Sequence, residues 1–114
     1  MRDDKFCKSN CPFTRAIGTI GNKWKPIILN VIQKRTVRFG QLDAIIPNIT
    51  RKVLTEQLKE LEEDGIVYRV AYKELPPRVE YSLTEKGLAF LPILEQIKEW
   101  NAKFEVVSVE SLFN

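Results

Sequence analysis

At Gly65 the periodicity of the sequence switches from that of a helix to that of a strand, and few folds accommodate the switch. Before it, "TRKVLTEQLKELEED" read at 100 degrees per residue places Val53, Leu54, Leu58 and Leu61 on one arc. Arg51, Lys52, Thr55, Glu56 and Lys59 fall on the other. Thr50 is a suitable N-cap and Gly65 a suitable stop. After it, Ile66, Tyr68, Val70 and Tyr72 alternate with Val67, Arg69, Ala71 and Lys73, the pattern of a strand. "KELPPR" makes a turn, and Val79, Tyr81 and Leu83 form the inward side of a returning strand. A helix leading straight into a β-hairpin is the result.

Upstream, Phe13, Ile17 and Ile20 recur at helical spacing after Cys11 and Pro12, with Gly21 closing the turn. A second helix carries Trp24, Ile27, Ile28, Val31 and Ile32, with Pro26 tolerated near its first turn. Val37 marks a short extended step, and a brief third helix turns Leu42, Ile45 and Ile46 inward before Pro47 stops it. Beyond the hairpin, Thr84 caps a long helix bearing Leu88, Leu91, Leu94, Ile97, Trp100 and Phe104, which Pro92 is expected to kink or restart. The order predicts an α+β winged helix: a three-helix core with a helix-turn-helix and a two- to three-stranded β wing, flanked by terminal helices.

Composition narrows function. A chain of 114 residues that is 44% apolar suits one compact domain. No apolar run approaches the roughly 18 residues of a membrane span. "MRDDKFCKSN" lacks the apolar core of a secretory signal, so the expected location is cytoplasmic and no membrane partner is expected. The absence of histidine removes the commonest general base and metal ligand, and no glycine-rich phosphate loop is present. An enzyme is not expected, nor is a cofactor or a metal.

The net charge is only +3, but its distribution is uneven. Lys23, Lys25, Lys34, Arg35, Arg38, Arg51, Lys52 and Lys59 face only Asp43 and Glu56 over the same stretch. The Thr50 helix also opposes its own dipole: Arg51 and Lys52 crowd the positive start, and Glu60, Glu62, Glu63 and Asp64 the negative end. A polyanion at the start resolves the conflict, because in a helix-turn-helix that end enters the major groove of double-stranded DNA. Arg51 and Lys52 then meet DNA, Thr50, Thr55 and Glu56 can bond base edges or phosphates, and Lys59 touches phosphate. Ordinary solvated helix faces are the plainer alternative.

"CPFTRAIGTIGNKW", "RFGQLDAIIPNITRKVLTEQLKELEEDGIV" and "PPRVEYSLTEKG" together resemble the HxlR family of winged-helix transcription regulators, related to the MarR group. The resemblance runs from about Cys11 to Trp100 and departs at Asn22, where the family often has a second glycine. It sets a tail at 1–10, the domain at 11–104 and a C-terminal tail at 105–114. It implies a sequence-specific homodimer on a pseudo-palindromic operator, paired through Phe13, Ile17, Leu91, Leu94, Ile97, Trp100 and Phe104 of the terminal helices. It places the recognition helix at Thr50 to Asp64 and the wing around Lys73 to Arg78, with Arg78 reaching the minor groove or its phosphates. Lys23, Lys25, Arg38 and Gln41 are expected at the DNA backbone. An ion pair of Arg78 with Glu74 or Glu80 is the structural alternative.

Cys7 and Cys11 are the only thiols, too few for one chain to build a four-ligand zinc site. Cys11 precedes Pro12 at the start of the first helix, near Lys8 and Arg15, a setting that favours thiolate. In the family it resembles, members that sense quinones, aldehydes or oxidants use a cysteine at this position. Cys11 is thus the candidate sensor of a small electrophile or oxidant, with Cys7 a candidate resolving partner; a buried, inert cysteine is the alternative. Two other readings stand beside the DNA-binding one: a winged helix that docks an acidic protein, and a ligand-gated regulator whose pocket is lined by Trp24, Trp100, Phe90 and Tyr68.

Overall fold

The structure, a computed structural model, describes residues 11–113, with side chains described through residue 105. Cys7 lies outside the described residues. The elements are α1 (Pro12–Ile20), α2 (Trp24–Ile32), β1 (Val37–Arg38), α3 (Phe39–Ile45), α4 (Arg51–Glu63), β2 (Val67–Tyr72), β3 (Arg78–Leu83) and α5 (Glu85–Phe113). The strands form an antiparallel sheet in the order β1, β3, β2. Val37 pairs with Tyr81 on one edge of β3, and Val67 with Leu83 on the other. This is the expected winged helix, with β1 as its third strand.

One core binds these elements together. Ile28, Leu29 and Ile32 of α2 meet Leu42 of α3 and Leu54, Leu58 and Leu61 of α4, all essentially sealed from solvent. Each such side chain contributes about 1.5–3 kcal/mol of burial free energy, before entropy is counted. Val67, Tyr81 and Leu83 close the core from the sheet and Leu94 from α5. The arc read from the sequence of α4 is therefore its buried face.

Both ends of α4 are fixed by local chemistry. The Thr50 hydroxyl oxygen accepts from the Val53 amide at 3.1 Å, a capping bond of the kind worth about 1 kcal/mol. At the other end Gly65 takes φ +74, a left-handed conformation that strains any residue with a Cβ. The Gly65 amide then reaches the Glu62 carbonyl and the Ile66 amide the Leu61 carbonyl, which stops the helix and launches β2. Thr84 begins α5, accepting from the Gly87 amide while its hydroxyl donates to the Gly65 carbonyl at 2.6 Å.

Two local expectations are corrected. Ile45 was expected inward with Ile46, but α3 ends at Ile45, whose side chain is exposed. The chain then leaves the helix at Ile46 with ψ 113, and that extended turn keeps Ile46 in the core as expected. Pro92 does not restart the last helix: α5 runs unbroken from Glu85 to Phe113. Proline withholds one amide from the ladder, a loss the helix tolerates at this exposed position.

Candidate nucleic-acid interface

The first turn of α4 contains no acid, and its outward face presents Arg51, Lys52, Thr55, Glu56 and Lys59, all exposed. Arg51 Nε donates to Asp43 Oδ2 at 3.1 Å, yet 78% of the arginine side chain remains open to solvent. A pair this exposed contributes little and exchanges readily for a phosphate. The Thr55 hydroxyl donates to the Arg51 carbonyl at 2.7 Å, leaving its oxygen to accept. Two cations and a row of polar groups thus stand at the positive pole of a helix whose acids lie at the far end.

Around that face the expected contacts divide. Lys23, Arg38, Gln41 and Lys73 are exposed. Lys23 lies over the Trp24 ring at 4.6 Å, and the Gln41 side-chain oxygen accepts from the Arg38 amide at 2.8 Å, so Gln41 serves as a cap for α3. Lys25 is a correction: it is 4% exposed, and its ammonium donates to Glu60 Oε1 at 2.6 Å. A lysine held inside the protein cannot reach a DNA backbone.

Arg78 is the second correction. Its guanidinium donates to Glu74 at 2.6 Å and to Glu80 at 3.1 Å, and it stacks on the Tyr72 ring at 4.1 Å. Partial burial disfavours its charge, but Glu74 and then Glu80 outweigh that and raise its pKa. The arginine braces the hairpin rather than projecting from it. At the tip stands Leu75, 98% exposed, followed by Pro76 and Pro77.

The terminal helices also sort themselves. Phe13 and Ile17 on α1 are exposed, at 81% and 62%, as are Ile97, Trp100 and Phe104 on α5. Trp100 and Phe104 pack ring against ring at 5.9 Å. Leu94, expected at a subunit interface, belongs to the core of its own chain, and Leu91 is half-buried against that core. Their spacing along α5 puts them on the side that covers α2. The four aromatics of the alternative pocket do not gather: Trp24 and Phe90 pack on the core, while Tyr68 and Trp100 face solvent.

Cys11 is half-buried at the N-cap of α1. Its sulfur makes no capping bond of standard geometry, but the Thr14 amide, the Thr14 hydroxyl and, more weakly, the Phe13 amide favour the thiolate. They hold its pKa below that of an ordinary thiol, with burial opposing them.

Sequence reasoning missed the polar partners that tie α4 to the turn before α2. Asn22 accepts through its side-chain oxygen from the Trp24 and Lys25 amides, both at 2.9 Å, and donates to Gln57 Oε1 at 2.7 Å. An asparagine just ahead of a helix signals such a cap. Nothing local announces its bond to a residue 35 positions away. Among the described residues no group of three or more potential metal ligands occurs, and no helix is long and apolar enough to cross a membrane.

Comparison with known proteins places this geometry. The model of the HxlR-like helix-turn-helix family matches residues 19–108. An uncharacterized HTH-type transcriptional regulator of Methanothermobacter thermautotrophicus is 41% identical over 104 residues, covering 91% of this chain and 77% of its own. The redox regulator HypR in its reduced form superposes with a TM-score of 0.79 at 45% identity, over 88% of this chain and 98% of that one. In its oxidized form the TM-score is 0.76 at 46% identity, over 82% and 96%. The reduced regulator YodB of B. subtilis gives 0.72 at 37% identity, over 82% and 94%.

Proposed function

The chain belongs to the HxlR-like helix-turn-helix family, whose members are transcriptional regulators and not enzymes; on that premise we propose that it binds double-stranded DNA sequence-specifically, as a homodimer on a pseudo-palindromic operator. The observation that carries this reading is the exposed pair Arg51 and Lys52 at the positive pole of α4. Thr50, Thr55, Glu56 and Lys59 complete the reading face, and Lys23, Arg38, Gln41 and Lys73 flank it. Lys25 and Arg78 are left out, since their charges are held within the fold. The apolar side chains of Phe13, Ile17, Ile97, Trp100 and Phe104 supply the pairing surface, too large a set of exposed apolar groups to leave in water. A cytoplasmic location accompanies this role.

Control by a thiol is the finer part of the proposal. Its support is the thiolate-favouring setting of Cys11 and the likeness to HypR, a redox regulator known in reduced and oxidized forms. The Cys11 thiolate attacks an electrophile such as a quinone, forming a carbon–sulfur bond while the ring takes up the electron pair and a proton. The adduct bears on α1 beside the pairing surface and shifts the two recognition helices away from the 34 to 36 Å spacing of successive major grooves.

The test is to select an operator from random duplexes, then measure its binding by fluorescence anisotropy across salt concentrations. Tight, salt-steep binding of the selected site supports the proposal. Binding without sequence preference or salt dependence favours an acidic protein partner instead. Equal responses of wild type and Cys11→Ser to a quinone remove the thiol from the mechanism.

A further inference from the structure

The recognition helix is tied to the turn before α2 and to α2 itself by two polar bridges that apolar packing does not require. Lys25 is the one buried charged residue among those described, and its ammonium reaches Glu60 on α4 at 2.6 Å. One turn earlier on α4, Gln57 is half-buried and accepts from Asn22 at 2.7 Å. Gln57 lies on the side of the helix away from Thr55 and Lys59, and Glu60, three residues on, stands at the margin of the outer face beside Glu56.

Leucines packed on isoleucines, as Leu54, Leu58 and Leu61 are on Ile28, Leu29 and Ile32, tolerate small slides and rotations, because dispersion has no preferred direction. Hydrogen bonds do have one. Two of them, a turn apart, resist both rotation of α4 about its axis and sliding along it. A slip of about 1 Å would leave the Lys25 ammonium buried without a partner, and an unpaired buried charge is strongly disfavoured.

Asn22 is itself fixed. Its oxygen is held by the Trp24 and Lys25 amides. On its other side the Gly21 amide closes α1 against the Ile17 carbonyl at 2.5 Å. A Cβ on Gly21 would sit 2.2 Å from that carbonyl oxygen, so only glycine permits the junction. The bridge to Gln57 therefore starts from a rigid point.

We infer that Asn22, Lys25, Gln57 and Glu60 form a clamp that sets the orientation of α4 and so determines how selectively its outer face reads DNA. In this inference they are positioning residues, acting through α4. The inference rests on the DNA-binding reading above.

The experiment compares affinity for the selected operator with affinity for random duplex, in wild type, Gln57→Leu, Asn22→Ala, the Asn22→Ala/Gln57→Leu double variant and Lys25→Met. Loss of the bridge is expected to lower the operator-to-random ratio by about 5- to 100-fold, the span of one misaligned base contact, while random-duplex affinity and its salt slope stay unchanged. The double variant is expected to lose no more than the stronger of its single variants. Lys25→Met, which keeps the volume and drops the directional bond, is expected to lose selectivity while its thermal midpoint holds. A wild type with no operator preference would sink the DNA reading itself. A selective wild type whose Gln57→Leu and Lys25→Met variants keep the full ratio overturns the clamp, as does strict additivity of Asn22→Ala and Gln57→Leu.

Discussion

Lys25 and Glu60 form one ion pair, yet their removal has opposite consequences. Glu60→Ala strips the acceptor from a buried ammonium and is expected to destabilise the fold by about 1–3 kcal/mol, toward the low end because Glu60 is itself half-exposed and water can partly replace it. Lys25→Met removes the charge that required a partner and is expected to be neutral or mildly stabilising. Urea unfolding of both variants, read as midpoints at constant slope, checks this. At Cys11 the relevant variable is pH. The fold lowers the pKa of this thiol, so between the folded and unfolded values the unfolded chain binds more protons and stability rises with pH; the gain is complete above the unfolded pKa and lost as pH falls through the folded one. The rate of iodoacetamide alkylation at Cys11, followed by mass spectrometry, is expected to rise at lower pH in the native protein than in the urea-unfolded chain.

At the scale of elements, α4 is where charge and geometry meet. Arg51→Ala and Lys52→Ala are each expected to weaken operator binding and to flatten the slope of log affinity against log salt by about 1. Anisotropy titrations at several salt concentrations decide it, and an unchanged slope in both variants would move the interface elsewhere. Most of this element was legible in the sequence, because Thr50, the Leu54, Leu58 and Leu61 arc and Gly65 each act through neighbours a few residues away. The same holds for the hairpin, where Tyr81 and Leu83 turn inward as their alternation requires. What escaped was long-range. Whether Lys25 faces water or Glu60, and whether Leu94 or Ile97 faces α2, depends on how helices far apart in sequence are brought together. Arg78 was open in principle, since Glu74 and Glu80 stand close by in sequence, but the ring of Tyr72 beneath it is set by hairpin register. Ile45 and Ile46 show the finest limit: both were expected inward, and where the helix gives way to extended backbone only Ile46 is.

For the whole molecule, the core and the proposed pairing surface lie side by side on α5. Leu94→Asp places a charge in the core and is expected to unfold the chain. Ile97→Asp, one turn on and exposed, is expected to leave the helical circular dichroism of the domain intact while shifting the protein to monomer in size-exclusion chromatography. A folded dimer carrying Ile97→Asp would place the interface elsewhere.

The length of α5 carries one more consequence. Its 29 residues extend for about 43 Å, and past Leu94 its apolar side chains Ile97, Trp100 and Phe104 stay exposed among the described residues. Single helices in water are marginal, so the far half of this one depends on company to stay wound. If the copies pair as proposed, helicity becomes a function of dilution: ellipticity is expected to fall as the sample is thinned below its dissociation constant, and a solitary copy is expected to offer proteases an unwound stretch that a paired copy conceals. On the proposed homodimer, the supply of paired protein at low expression rises with the square of how much chain is made, which turns gene dosage into a threshold.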